Sequence, residues 1–501
     1  MSVLLETPRQ VRSSWIVVVL LAQMAIALVT SAVQQTPTID EPVYVGAAVV
    51  QLEQHSLRYN PEHPPLGKLI MAAGLVFADV RLDPSFVGDQ TALGRHVLYE
   101  SGNDPGQLLL LARLPMIVLT LLFGLVVFLF ARDLFGPLGG LVSVALYALS
   151  PDVIAHGSLA TLDVPTAGFL LTSVWLLWRA RSRAIHLPLA GLALGAAIAT
   201  KMSALAAVPV VLVLAVLSVR RSRLQAAGVV GFVAVVVVWA SYVAVDPLAP
   251  FPLPFIEGMG VQFGMENRVW GGFLFGTHYE GSHWYYLPVA LLVKSPLGAL
   301  VLWVAGAVVL VRRMRVAAAY VLAPTAVLLV AAMTSNRDLG VRYAIFVPMF
   351  LAVAAGAVVL VRQRWAHVAV ACLVAFVAVT SVRAFPYYLP YSNEAFGGPS
   401  KTHLYLHDSN VDWGQDLGRL ADRLRERYPG ERIWLVYKGA GVPSYYGIEA
   451  SDPRTASPSE VHGLLVVSDT AIAKADERLK ALIASSKPID EVGHSISIYR
   501  R

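Results

Sequence analysis

Two acidic residues, Asp40 and Glu41, directly follow the first long apolar run of the chain and precede Pro42. A carboxylate beside a bilayer can orient or deprotonate an acceptor hydroxyl, so both acids are candidate catalytic residues. Proline also suits the first turn of a helix, and an acid before it is a good helix cap. Both interpretations stay open, because a capping carboxylate remains ionised and can still orient an acceptor.

A second polar cluster follows in the same loop, where Glu62 and His63 precede a Pro-Pro-Leu turn. Two consecutive prolines fix a sharp turn, and that turn can aim both side chains toward Asp40. The alternative is a rigid turn with solvated polar residues. The apolar stretch 66–77 is too short to span a bilayer comfortably, so it suits an amphipathic surface helix.

Two further acids, Asp152 and Asp163, flank a short segment between apolar runs. Asp163 stands two residues before a proline at the start of a run, which again suits a helix cap. Acids repeated at the edges of two loops also indicate a shared site, which makes Asp163 a candidate catalytic residue.

Cations also interrupt or border the apolar runs, at Lys201, Lys294, Arg337 and Arg342. Charges within or beside spanning segments are costly and tend to be functional, although snorkelling to lipid headgroups is an equally good explanation for any one of them. Several cations together suit a phosphate-bearing lipid. Lys201 and Arg342, with the adjacent Tyr343, are therefore candidate phosphate-binding residues.

The loop 278–286 is rich in aromatic residues and carries His278, Glu280, His283 and Trp284. Trp and Tyr are common at membrane interfaces, so an anchoring belt is the favoured explanation. Aromatic faces beside hydrogen-bonding groups also suit sugar rings, which makes these four candidate acceptor or sugar contacts. No tight ligand spacing demands a metal. We predict that no cofactor is required and keep a divalent metal as the less favoured alternative.

The composition indicates that these residues belong to a membrane protein. Of 501 residues, 56% are apolar and 14% are charged, against about 25% charged in soluble domains. This excludes an ordinary soluble enzyme and disorder. The net charge of +6 is typical of basic cytoplasmic loops rather than of a nucleic-acid partner. The single cysteine, Cys372, excludes an intramolecular disulfide and Cys-rich zinc sites.

Apolar runs approach the length of about 20 residues that a crossing needs, and we predict about eleven transmembrane helices. The runs are 15–33, 107–130, 134–150, 164–178, 187–199, 202–218, 225–244, 288–311, 316–333, 343–361 and 366–381. Basic clusters precede the first run and follow alternate later ones, at Arg9, Arg12, Arg132, Arg179, Arg181, Arg183, Arg220, Arg221, Arg223, Arg312, Arg313, Arg315, Arg362 and Arg364. The positive-inside rule then puts the N-terminus in the cytoplasm and the C-terminus outside the cell membrane.

This topology divides the chain into a transmembrane catalytic domain, 1–390, and an extracytoplasmic α/β domain, 401–501. The long loops of the first part all lie on the outer side: 34–106, 151–163, 245–287 and 334–342. In the second part the patterns predict strands at 404–407, 432–437, 464–468 and 495–499, and helices at 415–428 and 471–484.

The order of these motifs resembles the GT-C superfamily of membrane glycosyltransferases, most closely the protein O-mannosyltransferase and aminoarabinose-transferase branch, glycosyltransferase family 39. The matching features are the acidic pair, the His-Pro-Pro-Leu turn and the acid of the second outer loop. The stretches 191–203, 281–296, 341–348 and 408–420 resemble the family as well. The resemblance covers nearly the whole chain.

The resemblance implies a polyprenyl-phosphate sugar as donor and an inverting transfer to a protein, lipid or glycan acceptor. It implies that Asp40 is the catalytic acid position and that Glu62 and His63 belong to the donor phosphate site, where aminoarabinose transferases commonly have Lys instead of His63. A transporter or flippase for a lipid-linked sugar is the alternative. That class predicts internal repeats, and none is visible in the sequence. A non-catalytic membrane scaffold is a third possibility.

Overall fold

The computed structural model describes residues 8–220 and 222–501, with side chains described from Ser14 onward. Three of the basic residues used above, Arg9, Arg12 and Arg221, lie outside the residues whose side chains are described.

Every predicted apolar run is helical, and shorter helices lie in the loops between the runs. The α-helices are α1 (Pro8–Gln34), α2 (Glu41–Gln54), α3 (Leu66–Leu75), α4 (Gln90–Arg95), α5 (Pro105–Phe135), α6 (Pro137–Ala148), α7 (Pro151–Gly157), α8 (Asp163–Ala180), α9 (His186–Thr200), α10 (Val208–Ser218), α11 (Arg223–Val243), α12 (Leu253–Glu266), α13 (Tyr286–Lys294), α14 (Leu297–Arg313), α15 (Arg315–Met333), α16 (Phe346–Ala355), α17 (Arg364–Ala384), α18 (Leu417–Arg427), α19 (Asp469–Ala473) and α20 (Glu477–Ala484).

The chain is a membrane protein. Within the described residues, five helices are long and apolar enough to cross a bilayer, and seven spans result if each of two bent helix pairs counts as one. Four shorter apolar helical segments accompany them: Leu66–Leu75, His186–Thr200, Met202–Ser218 and Phe346–Leu360. The predicted count of about eleven includes three of these shorter segments and stays a prediction.

One predicted crossing, 288–311, is not a continuous helix. It consists of α13 and α14, which are bent by 119° at a break around Ser295 and Pro296. A proline has no N–H for the helical ladder, and the residue before it disfavours the helical conformation. A continuous apolar run therefore overstated the length of the helix.

Small residues bring α9 and α11 close together. A Cβ at Gly191 or Gly195 would lie 2.8 or 2.7 Å from the carbonyl oxygens of Val230 and Ala234 on α11. Such small residues allow two backbones to approach closely within a bilayer. This packing fixes the C-terminal end of α9, where Lys201 follows in extended conformation.

The C-terminal part forms a mixed five-stranded sheet between two helical layers. Its strands, numbered after the hairpin β1 (Gly271–Leu274) and β2 (Thr277–Glu280), are β3 (Ile433–Val436), β4 (Ala450–Ser451), β5 (Leu464–Ser468), β6 (Lys487–Val492) and β7 (Ile496–Arg500). The order is β4-β3-β5-β7-β6, with β3 parallel to both β4 and β5, and β7 antiparallel to both β5 and β6. Alternate β5 residues face α18 on one side and α20 on the other, as the two-residue repeat of a strand requires.

Several details of this part differ from the sequence predictions, and the two-residue strand β4 was not predicted. Residues 404–407 form no strand, because Leu404 ends a 3-10 helix and the next three residues are irregular. The helix predicted over 471–484 is two helices, because Asp476 caps a new one by accepting from the N–H of Leu479. The charged strand β6 was not predicted, since an edge strand lacks a clear apolar pattern.

Candidate functional site

A cavity of about 610 Å³ opens where several helix ends meet. Seven residues singled out from the sequence line it together: Asp40, His63, Asp163, Lys201, Arg337, Arg342 and Tyr343. They come from the start of α2, the proline turn before α3, the start of α8, the end of α9 and the segment between α15 and α16. The fold therefore gathers residues that lie up to 303 positions apart in the sequence into one site.

Asp40 forms an ion pair across this cavity instead of capping its helix. It occupies the N-cap position of α2, but its side chain makes no capping hydrogen bond. Arg342 Nη1 lies 2.5 Å from Asp40 Oδ2. Among the described residues, no hydrogen bond or ion pair engages Asp40 Oδ1. This oxygen can therefore accept a hydrogen bond from a molecule that enters the cavity.

Asp163 bridges two cations of the site, Lys201 and Arg342. Lys201 Nζ donates to Asp163 Oδ1 over 2.6 Å, and Arg342 Nη1 lies 3.9 Å from Asp163 Oδ2. The side chains of both acids face Arg342, so one guanidinium joins the two carboxylates. A second cation on Asp163 keeps the cluster close to charge balance, which a buried group of charges needs.

Two aromatic rings hold the guanidinium of Arg342. Its Cζ lies 4.4 Å from the ring centre of Trp413 and 4.9 Å from that of Tyr343. Arg342 Nη2 also donates to the hydroxyl of Tyr343 over 3.2 Å. Stacking and hydrogen bonds together fix the plane of the guanidinium, which a flexible ammonium group could not reproduce.

His63 contributes a neutral ring to the cavity wall. Burial lowers its pKa well below the usual value, and the nearby Lys201 and Lys68 lower it further. Lys68 itself shapes the turn, because its Nζ donates to the carbonyl oxygens of Asn60 and His63 over 2.8 and 2.6 Å. His63 therefore offers a hydrogen-bonding group and no positive charge at neutral pH.

Glu62 and Glu41, which were also singled out, do not line the cavity. Glu62 accepts from Gln90 Nε2 over 2.9 Å and ties the turn to α4. Glu41 is fully buried, and Arg113 Nε and Nη2 donate to its two oxygens over 2.7 and 2.6 Å. The N–H of Ala160 donates to Glu41 Oε1 over 2.8 Å. This network joins α2, α5 and the loop before α8, and it gives Glu41 a structural place beside the site.

The aromatic loop lies outside the cavity. His278 and Glu280 belong to β2, and His283 stacks between Tyr279 and Tyr285 at centroid distances of 4.0 and 5.1 Å. Trp284 is 68% exposed. The described residues contain no group of three or more His, Cys, Asp and Glu side chains that could hold a metal ion.

One wall of the cavity was anticipated from the sequence only through Arg337. Glu266, the last residue of α12, pairs with Arg337 Nη2 at 2.8 Å and accepts from Ser335 Oγ over 2.9 Å. All three line the cavity, as does Asn336, whose side chain donates to the carbonyl oxygen of Glu266. Isolated polar residues in two distant loops carry no sequence signal of this contact.

Comparisons with known proteins bear on the fold. Residues 106–244 match a family model described as dolichyl-phosphate-mannose-protein mannosyltransferase. A search of curated proteins gives no significant match. The structure of apo ArnT from Cupriavidus metallidurans is 17% identical and covers 97% of this chain and 98% of its own, with a TM-score of 0.55. The same protein bound to undecaprenyl phosphate is 16% identical, with the same coverage and a TM-score of 0.51.

The family-model match spans α5 to α11, the helices that carry Asp163 and lead to Lys201. The likeness to ArnT extends over nearly the entire chain and shows a shared fold. Together they confirm the resemblance of this protein to the GT-C superfamily of glycosyltransferases and to its protein O-mannosyltransferase and ArnT-like branch.

Proposed function

We propose that this protein is an inverting glycosyltransferase that moves a sugar from a polyprenyl phosphate to an acceptor at the outer face of the cell membrane. The observation that carries the proposal is a cavity in which the charged cluster of Asp40, Asp163, Lys201 and Arg342 meets an apolar wall. In this assignment the N-terminus is cytoplasmic, and the sheet of β3 to β7 lies outside the membrane.

The cavity has the two halves that a lipid-linked donor needs. Its apolar wall includes Leu170 of α8, Leu328 of α15 and Phe346 of α16, and α15 is long and apolar enough to span a bilayer. Lys201 and Arg342 mark its polar end. We place the polyprenyl tail against the apolar wall and the phosphate near the cations. The undecaprenyl phosphate bound to ArnT, a protein of the same fold, supports this choice of ligand.

In the proposed reaction, an acceptor hydroxyl attacks the anomeric carbon from the face opposite the phosphate. The bond between that carbon and the phosphate oxygen breaks, and its electron pair leaves with polyprenyl phosphate. Asp40 Oδ1 accepts the hydrogen bond of the hydroxyl and takes its proton as the new glycosidic bond forms. A single displacement of this kind inverts the anomeric configuration.

The charge that develops on the departing phosphate is assigned to protein cations. Lys201 and Arg342 lie on either side of Asp163, so their ammonium and guanidinium groups are held in fixed positions before reaction. Preorganised charges of this kind stabilise a transition state without further reorganisation. We therefore propose that transfer needs no metal or other cofactor.

The proposal is tested with purified protein in lipid nanodiscs. Labelled polyprenyl-phosphate mannose, glucose, arabinose and aminoarabinose are offered in turn, with a membrane extract as acceptor, and release of polyprenyl phosphate is measured. We expect one donor to be consumed, with inverted configuration in the labelled product. The product also identifies the acceptor as a protein, a glycolipid or an envelope glycan.

Asp163→Asn should abolish most of this turnover, because it removes the carboxylate that holds both cations. Asp422→Asn is the matched control, since Asp422 is an exposed carboxylate on α18 that, among the described residues, pairs only with the neighbouring Arg425. Equal losses in both variants, or tight donor binding with no turnover in the wild type, would refute the proposal.

A further inference from the structure

We infer that residues 409–417, which we call the linker segment, position the Asp40–Arg342 ion pair, and that Trp413 is a positioning residue for glycosyl transfer. The linker segment joins the helical part of the chain to α18 and the sheet. The inference rests on the proposed function for its kinetic consequences, but the contacts that carry it are independent of the reaction.

The linker segment holds the loop that leads into Asp40. Within four residues of that acid, the N–H of Ile39 donates to the carbonyl oxygen of Trp413 over 3.0 Å, and the N–H of Thr36 donates to that of Gln415, also over 3.0 Å. The hydroxyl of Thr36 donates to the carbonyl oxygen of Gly414 over 3.1 Å. The linker segment therefore holds in place the backbone just before Asp40.

The same segment holds the turn that carries Arg342. The side-chain oxygen of Asn410 accepts from the N–H of Val341 over 3.0 Å, and Ser409 Oγ donates to the carbonyl oxygen of Leu339 over 2.7 Å. Gly340 lies between these two contacts with a φ of +150°, and a Cβ there would lie 2.1 Å from Ser409 Oγ. Only glycine adopts this backbone conformation readily and leaves room for the Ser409 side chain.

Trp413 contacts both loops, the Asp40 loop through its backbone carbonyl and Arg342 through its side chain. It is 1% exposed, and its ring centre lies 4.4 Å from Cζ of Arg342. A cation over an indole face is attracted most strongly when both groups are shielded from water. The indole thus favours the one orientation of Arg342 in which Nη1 reaches both Asp40 and Asp163.

The linker segment is itself anchored in the C-terminal sheet. Tyr437, directly after β3, donates its hydroxyl to the carbonyl oxygen of Gly414 over 2.7 Å. Asp412 accepts from the N–H of Thr470 over 3.0 Å, and Asp416 accepts from the hydroxyl of Ser495 over 2.6 Å. The sheet thereby acts as a rigid support for the loops that carry Asp40 and Arg342.

The kinetic test replaces the indole while keeping an apolar side chain. For Trp413→Leu we expect kcat to fall about tenfold, or about 1.4 kcal/mol of barrier, with the donor KM within about twofold of wild type. Trp413→Phe keeps an aromatic face and should recover part of the loss. Trp434→Leu is the matched control, because Trp434 is a buried tryptophan on β3 that packs in a separate cluster beside α20. It should lower thermal stability without changing kcat at temperatures where the protein remains folded.

A double variant separates positioning from general damage. If Trp413 acts through Arg342, adding Trp413→Leu to Arg342→Lys should lower kcat by no more than about twofold. The inference would be overturned if the kcat of the double variant fell by the product of the two single-variant losses. A kcat for Trp413→Leu equal to that of Trp434→Leu would also overturn it.

A readout without substrate keeps the inference testable even if the proposed function fails. Hydrogen exchange should accelerate at 36–41 and 339–343 in Trp413→Leu but stay unchanged in β3. Unchanged exchange at both loops would refute the positioning role. Absence of turnover in the wild type would instead refute the proposed function alone.

Discussion

Replacing Arg342 with lysine tests whether geometry, and not charge alone, matters at the site. The substitution keeps one positive charge near Asp40 and Asp163. It removes the planar guanidinium, whose Nη1 lies 2.5 Å from Asp40 Oδ2 and whose Nη2 donates to the hydroxyl of Tyr343 over 3.2 Å. It also removes the stacking on Trp413.

The expected magnitude follows from these contacts. A hydrogen bond to a charged group contributes about 1.5–3 kcal/mol. Loss of one such bond that fixes Asp40 should therefore lower kcat about 10- to 100-fold, since about 1.4 kcal/mol of barrier corresponds to a factor of ten. The donor KM should change much less, because a cation still faces the donor phosphate.

The assay measures release of polyprenyl phosphate in nanodiscs over a range of donor concentrations. Arg423→Lys is the control: Arg423 also pairs with an aspartate, because its Nη1 donates to both oxygens of Asp490 over 3.1 and 3.0 Å, but it does not line the cavity. The reasoning is refuted if Arg342→Lys retains wild-type kcat, or if its loss matches that of Arg423→Lys.

Three further perturbations address other parts of the structure. Lys201→Met should lower turnover at least tenfold and raise the donor KM, measured in the same assay, and an unchanged KM would contradict phosphate binding by Lys201. Arg113→Leu leaves Glu41 buried without its partner and should cost about 3–5 kcal/mol of stability in thermal melts. Replacing both residues with leucine should recover only part of it, because the buried backbone groups that bond to either side chain lose their partners. Burial raises the pKa of Asp412 and of Asp469 to about 7. These folded-state pKa values lie above the unfolded value of about 3.9, so the stability that the two protonated acids contribute is present below pH 4 and lost as pH rises through 7. The melting temperature should therefore fall from pH 5 to pH 8. The fall should be smaller in Asp412→Asn.

The sequence predicted the helices better than their continuity. Apolar runs identify buried or lipid-facing helices, because the length of an apolar run depends only on consecutive residues in the sequence. The 119° bend between α13 and α14 depends on a single proline, and a hydropathy pattern averages over it. The layers around the C-terminal sheet could be predicted from alternating strands and helices, but the charged edge strand β6 could not.

The site was predictable only where a charge was costly in its local context. Asp163 and Lys201 stand at the ends of apolar helices, and they form an ion pair in the structure. Asp40 and Glu41 look alike in sequence, yet one lines the cavity and the other pairs with Arg113, 72 residues away along the chain. No local pattern specifies such a distant partner.

The aromatic loop shows that residue types alone do not predict position relative to the cavity. Trp284 and the histidines were grouped with the site because aromatic and polar residues suit a sugar. Their side chains lie outside the cavity, on the β1–β2 hairpin and in the residues directly after it. The carboxylate of Asp338 holds this region, because it accepts from the hydroxyl of Tyr279 and from the N–H of His283. A role in acceptor binding stays a prediction for these residues.

The most direct test of the central claim is single-turnover sugar transfer by Asp40→Asn in nanodiscs, after donor binding has been shown to match the wild type. Asparagine keeps the shape of the side chain but cannot take a proton from the acceptor hydroxyl. We predict a fall of at least about 100-fold in the rate of transfer, as expected for loss of a general base, with no loss of bound donor. Transfer at the wild-type rate by Asp40→Asn would contradict the proposed chemistry.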